Sequence, residues 1–78
     1  LGREVVNRFE HALKILDTDE QAAVVARLER GLTYPEIARD LGKPSADAAR
    51  MFVGRALAKL ARHMANAPNP ATGRLAGS

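Results

Sequence analysis

Thr33-Tyr34-Pro35-Glu36-Ile37-Ala38-Arg39-Asp40-Leu41-Gly42 is followed by Lys43-Pro44-Ser45-Ala46-Asp47, and then by Ala48-Ala49-Arg50-Met51-Phe52-Val53-Gly54-Arg55-Ala56-Leu57-Ala58-Lys59-Leu60. The first block is a short helix with both ends marked. Thr33 and Glu36 have the spacing of a capping box, in which each side chain satisfies a backbone N–H of the other. Pro35 is tolerated in the first turn, where its missing N–H has no helical partner. Ile37, Ala38 and Leu41 share one face, and Gly42 suits the left-handed residue that ends a helix. Ser45 then caps a longer helix, from about 46 to 64, with the apolar stripe Ala49, Val53, Ala56, Leu57, Leu60 and Met64. A short helix, a tight turn and a longer basic helix form the order of a helix-turn-helix. There the first helix braces the second, and the second offers its N-terminal residues to base edges in the major groove. Ala38 is small where the two helices approach, and Gly42 permits the sharp exit.

Upstream, residues 3–16 carry Val5, Phe9, Ala12, Leu13 and Leu16 at helical spacing, opposite Arg3, Glu4, Arg8, Glu10 and Lys14. That pattern predicts an amphipathic helix. Asp17-Thr18-Asp19-Glu20-Gln21 reads as a stop and a restart, with Thr18 and Gln21 as a second capping box and Asp19 and Glu20 favouring the helix dipole. The next helix, about 19–30, is expected to bury Val24, Val25 and Leu28 and to end at Gly31. No segment alternates with period two, so no strand is predicted. Pro68 and Pro70 stop the last helix. The expectation is an all-α, four-helix domain over residues 1–65, without a wing, and a flexible polar tail over 66–78.

A chain of 78 residues holds one core at most. It begins at Leu1 and ends in a polar stretch, which reads as a module of something larger. Without cysteine it has neither a disulfide framework nor a thiolate metal site. No apolar run approaches the roughly 18 residues of a membrane span, and the start lacks a signal-peptide pattern; a soluble, intracellular protein is expected. The net charge is +3 with an isoelectric point near 10.0. From Leu1 to Asp40 eight acids face six bases; from Leu41 onward Asp47 is the one acid against Lys43, Arg50, Arg55, Lys59, Arg62 and Arg74. Positive charge gathered at one end suits a polyanion such as DNA, and a solvated helix face is the plainer alternative.

Within the last helix Arg50 is the leading candidate for a base or phosphate contact, since arginine can grip guanine with two bonds. Lys43 and Ser45, at the turn and cap, are placed to reach a phosphate beside the helix N-terminus; for Ser45 capping is at least as good an account. Asp47 can accept from a cytosine amino group, although serving the helix dipole is the simpler role. Arg55, Lys59 and Arg62 are expected on the backbone or in solvent. Met51 and Phe52 are expected to be partly buried against neighbouring helices, and Gly54 weakens the helix locally by up to roughly 1 kcal/mol. His11 and His63 have no third ligand at a useful spacing, and Tyr34 reads as packing. Neither a metal nor a cofactor is expected. Catalysis has no support, because no phosphate-cradling glycine loop, histidine-anchored nucleophile or carboxylate cluster is present.

The run from Gly31 to Gly42 resembles the corresponding stretch of region 4, the C-terminal region of bacterial sigma factors, nearest to the extracytoplasmic-function group. Ala49-Arg50 through Arg55-Ala56-Leu57-Ala58-Lys59-Leu60 is similar to that family's recognition helix, and Leu16 to Ala22 to the start of its preceding helix. The resemblance spans roughly Phe9 to Met64. It implies binding to the minus-35 element of double-stranded promoter DNA through the fourth helix; the residues expected to contribute, from that helix and the turn before it, are Lys43, Ser45, Asp47, Arg50, Met51, Gly54, Arg55 and Lys59. It further implies docking on the β-subunit flap of RNA polymerase core, a possible anti-sigma partner, and a cytoplasmic, nucleoid-associated location, with neither membrane nor small-molecule substrate. The chain departs from the family in a turn one residue longer, in Met51 and Phe52 where polar or basic residues are usual, and in Gly54. Two other readings are a response-regulator output domain, dimeric through its last helix, and a protein-interaction module that has lost specific DNA readout.

Overall fold

The computed structural model describes residues 2–66, and these form four helices: α1 (Arg3–Ile15), α2 (Thr18–Leu28), α3 (Tyr34–Leu41) and α4 (Ala46–Asn66). The all-α expectation holds, and among the described residues there is no strand. Of the expected tail over 66–78, Asn66 belongs instead to α4, and residues 67–78 lie outside the described residues.

Each boundary has a local chemical cause. The second helix starts one residue earlier than expected, because Asp17 and not Thr18 is its cap. The Asp17 carboxylate accepts from Glu20 N–H (2.9 Å) and Glu20 Oε1 accepts from Asp17 N–H (3.0 Å). A carboxylate is the stronger acceptor, and starting here leaves Leu16 in extended backbone with its side chain buried. Gln21, expected to close the box, donates instead to the Leu16 carbonyl at 3.1 Å. The box at α3 is as expected: Glu36 N–H donates to Thr33 Oγ1 (3.3 Å), while Glu36 Oε1 accepts from Thr33 N–H (2.8 Å) and Oγ1 (3.0 Å). Gly31 and Gly42 both adopt positive φ, 65° and 67°. Through them the chain turns between α2 and α3 and between α3 and α4, and Lys43 N–H bonds back to the Ala38 carbonyl. Ser45 Oγ accepts from Ala48 N–H at 3.0 Å and caps α4.

The interior has two connected parts. Ala23, Ala26, Ile37, Ala38, Ala49 and Val53 join α2, α3 and α4, with Leu32, Tyr34, Leu41 and Phe52 at the edge. Ala12, Leu16, Val24, Ala56 and Leu60 join α1, α2 and α4, flanked by Phe9, Leu13 and Met64. Leu57 touches both, so α4 is the helix the others share. Alanine supplies most of the fully buried positions, which lets helix axes come close but leaves modest apolar area to stabilise the fold.

Three residues expected to be buried or partly buried lie on the outside. Leu28 is 54% exposed and Val5 44% exposed. The second helix is wedged between two neighbours and turns Ala23, Val24 and Ala26 inward, so its last residue falls beyond the contact. The apolar contacts of α1 begin at Phe9, one turn past Val5. Met51, expected to be partly buried, is 49% exposed; Phe52 is half-buried as expected.

Hydrogen bonding from Asp17 N–H and then from the Lys59 ammonium holds the Glu20 carboxyl below its ordinary 4.5; bonds from the Thr33 backbone and hydroxyl do the same for Glu36. A depressed folded pKa gives stability that is present above the ordinary value and lost as pH falls through the lowered one. The melting temperature should therefore be flat above pH 4.5 and fall below it, and Glu20→Gln with Glu36→Gln should flatten that fall. Ile37, fully enclosed, sets the mechanical test: Ile37→Ala should cost about 2–5 kcal/mol in urea unfolding, whereas Leu28→Ala should change little.

Candidate nucleic-acid interface

Because α4 buries Ala49, Val53, Ala56 and Leu60, helical spacing turns Asp47, Arg50, Met51, Gly54, Arg55, Ala58, Ala61 and Arg62 outward, and all eight are exposed. The face is thus a by-product of the core. Its middle is narrow, since Gly54, Ala58 and Ala61 add little beyond backbone, with Arg55 and Arg62 along one border.

The basic side chains expected to act together do not share one state. Lys43, in the turn between α3 and α4, is half-buried and places its ammonium 3.8 Å from the centre of the Phe52 ring, a cation–π contact. Ser45 is the N-cap of α4 and its hydroxyl oxygen is occupied by Ala48 N–H. Arg50 is bound to Asp47, with Nη2 at 2.8 Å and Nε at 3.2 Å from one carboxylate oxygen. That contact raises the arginine pKa beyond its already high ordinary value. Lys59 lies to one side of the face and reaches across to Glu20 of α2, Nζ to Oε1 at 3.1 Å. Arg55 and Arg62 make no hydrogen bond or ion pair among the described residues.

Three partners were not identified by sequence reasoning. Glu20 is 39 residues from Lys59, and nothing local signals the pair. Phe52 beneath Lys43 depends on the path of the turn. The Asp47–Arg50 pair was also missed, although its three-residue spacing, that of neighbours on a helix surface, is a signal that could have found it. Arg27 adds a fixed cation elsewhere: it donates to the Leu32 carbonyl at 3.0 Å and stacks 4.3 Å from the Tyr34 ring, tying the end of α2 to the start of α3.

Among the described residues no group of three or more His, Cys, Asp or Glu side chains is placed to hold a metal ion, and no helix is long and apolar enough to cross a membrane.

Gly54 has a negative φ, and a Cβ built on it meets nothing within 4 Å. Gly54→Ala should therefore stabilise the fold by roughly 0.5–1 kcal/mol, measured by thermal or urea unfolding. If the same substitution weakens duplex binding, the missing side chain serves close approach rather than folding.

The chain matches no protein-family model, no curated protein and no solved structure.

Proposed function

We propose that this chain binds double-stranded promoter DNA through the outward face of α4, as a domain of the sigma region 4 type, and that α3, the turn at Gly42 and α4 act as a helix-turn-helix. The observation that carries the proposal is the make-up of that face. An arginine one turn into the helix, a second arginine along the opposite border, a methionine and a run of very small residues all stand exposed on a helix braced by three others. A narrow helix face enters the major groove readily; arginine suits guanine there, and an apolar side chain such as Met51 suits a thymine methyl. The resemblance of Phe9 to Met64 to region 4 adds the minus-35 element as target, RNA polymerase core as docking partner, an anti-sigma factor as possible regulator and the cytoplasm as location. The role is one of binding, not catalysis.

One observation favours a second reading, a protein-interaction module. Lys43, Arg50 and Lys59 are each engaged within the fold, and Met51 is exposed. On that reading α4 offers an apolar contact to a protein, and duplex binding is weak and abolished by salt.

Titration of the 78-residue chain against random duplexes and a pool enriched by selection, at two salt concentrations, separates the two. Promoter readout predicts an enriched sequence, with Arg50→Ala relaxing the preference at one base pair. Arg55→Ala should instead weaken all duplexes alike and lower the salt slope by about one. Equal binding of every duplex, lost on adding salt, would leave the protein-interaction reading standing.

A further inference from the structure

Asp47 and Arg50 stand one turn apart on the outward face of α4, with side chains 70% and 57% exposed. A single carboxylate oxygen, Oδ1, accepts from both Nε and Nη2 of the guanidinium. The fork carries five N–H groups, so this contact occupies one edge and leaves another. The edge left over is Nη1 with the second N–H of Nη2, two parallel donors that match the N7 and O6 acceptors of guanine in the major groove. Oδ2 of Asp47 accepts no hydrogen bond among the described residues.

We propose that Asp47 is a positioning residue for base readout: it holds Arg50 by one edge so that the other reads guanine, while its own unused oxygen favours a base bearing an amino group, cytosine or adenine, at the adjoining position. This rests on the DNA-binding reading above and sharpens it into a recognition element. Two physical effects support it. A flexible arginine loses rotamer freedom on docking, and a partner that restrains it beforehand reduces that loss. A free arginine also settles on the nearest phosphate, a contact without sequence information. A carboxylate at its base repels phosphates and makes that alternative poorer. Asp47 therefore lowers affinity for DNA in general and raises discrimination.

A role confined to the helix N-terminus, where any acid is favourable, has a different signature. Losing it would weaken α4 and every complex equally. The test uses fluorescence anisotropy on the full chain with the duplex enriched by selection and a scrambled version of it, comparing the native protein with Asp47→Ala, Asp47→Asn and Arg50→Ala, alongside thermal melts. Asp47→Ala should bind the scrambled duplex several-fold more tightly, while the enriched-to-scrambled ratio drops about tenfold, the scale of one good base contact. Asp47→Asn, which keeps an acceptor but no charge, should share the raised scrambled affinity and recover part of the ratio. Adding Asp47→Ala to Arg50→Ala should reduce the ratio by less than Asp47→Ala does alone, because only the direct contact of Asp47 with its base is then left to lose, as expected for coupled residues. An unchanged ratio in Asp47→Ala, with the ratio lost in Arg50→Ala, would overturn the positioning role and leave DNA recognition intact. Equal weakening on both duplexes would also overturn it, in favour of a helix-end role. If selection enriches no sequence for the native chain, DNA readout and the positioning role fall together.

Discussion

The inward stripe of α4, Ala49, Val53, Ala56 and Leu60, is the surface against which α1, α2 and α3 all pack. A helix of 21 residues standing alone in water is marginal, and tertiary contact along one face supplies most of its stability. Here that contact comes from three directions. Ile37 and Val53 belong to one buried group, Leu16 and Leu60 to the other, and Leu57 packs against both. Once this stripe is covered, the rotation of α4 is set, and with it the residues left facing water. The candidate interface is the complement of the core.

Holding three short helices on one longer helix requires that each start and stop in the right place. The two capping boxes do this at α2 and α3, and the two left-handed glycines redirect the chain after each. Both boxes use a glutamate at the third position, so backbone order and carboxylate ionisation are linked. Glu20 carries a further duty, since the Lys59 ammonium bonds to the same carboxylate. The start of α2 and the middle of α4 are thereby joined by charge as well as by packing.

That economy changes the electrostatics of the outward face. Counted along the sequence, the second half of the chain is strongly basic. In the fold, Lys43 rests on an aromatic ring, Arg50 is paired and Lys59 is turned toward α2. The surface is a set of differently restrained cations, not a uniform positive field. Pairing of this kind weakens general attraction to a polyanion.

Helix number, the placement of α3 and α4, the caps at Thr33 and Ser45 and the turns at Gly31 and Gly42 were determined by the sequence alone, because caps, glycine turns and apolar periodicity act over three or four residues. The inward stripe of α4 was legible for the same reason. The cap of α2 was misplaced by one residue, since Asp17 and Thr18 are both good acceptors and the choice fell to the burial of Leu16. The exposed position of Arg50 came from local pattern too. Only the tertiary structure decided that Ala23 and Ala26 are core while Val5 and Leu28 are surface, that Met51 faces outward, and that Lys59 reaches back to Glu20. These depend on which helices lie side by side, and small alanines that permit close approach carry almost no signal of hydrophobic periodicity.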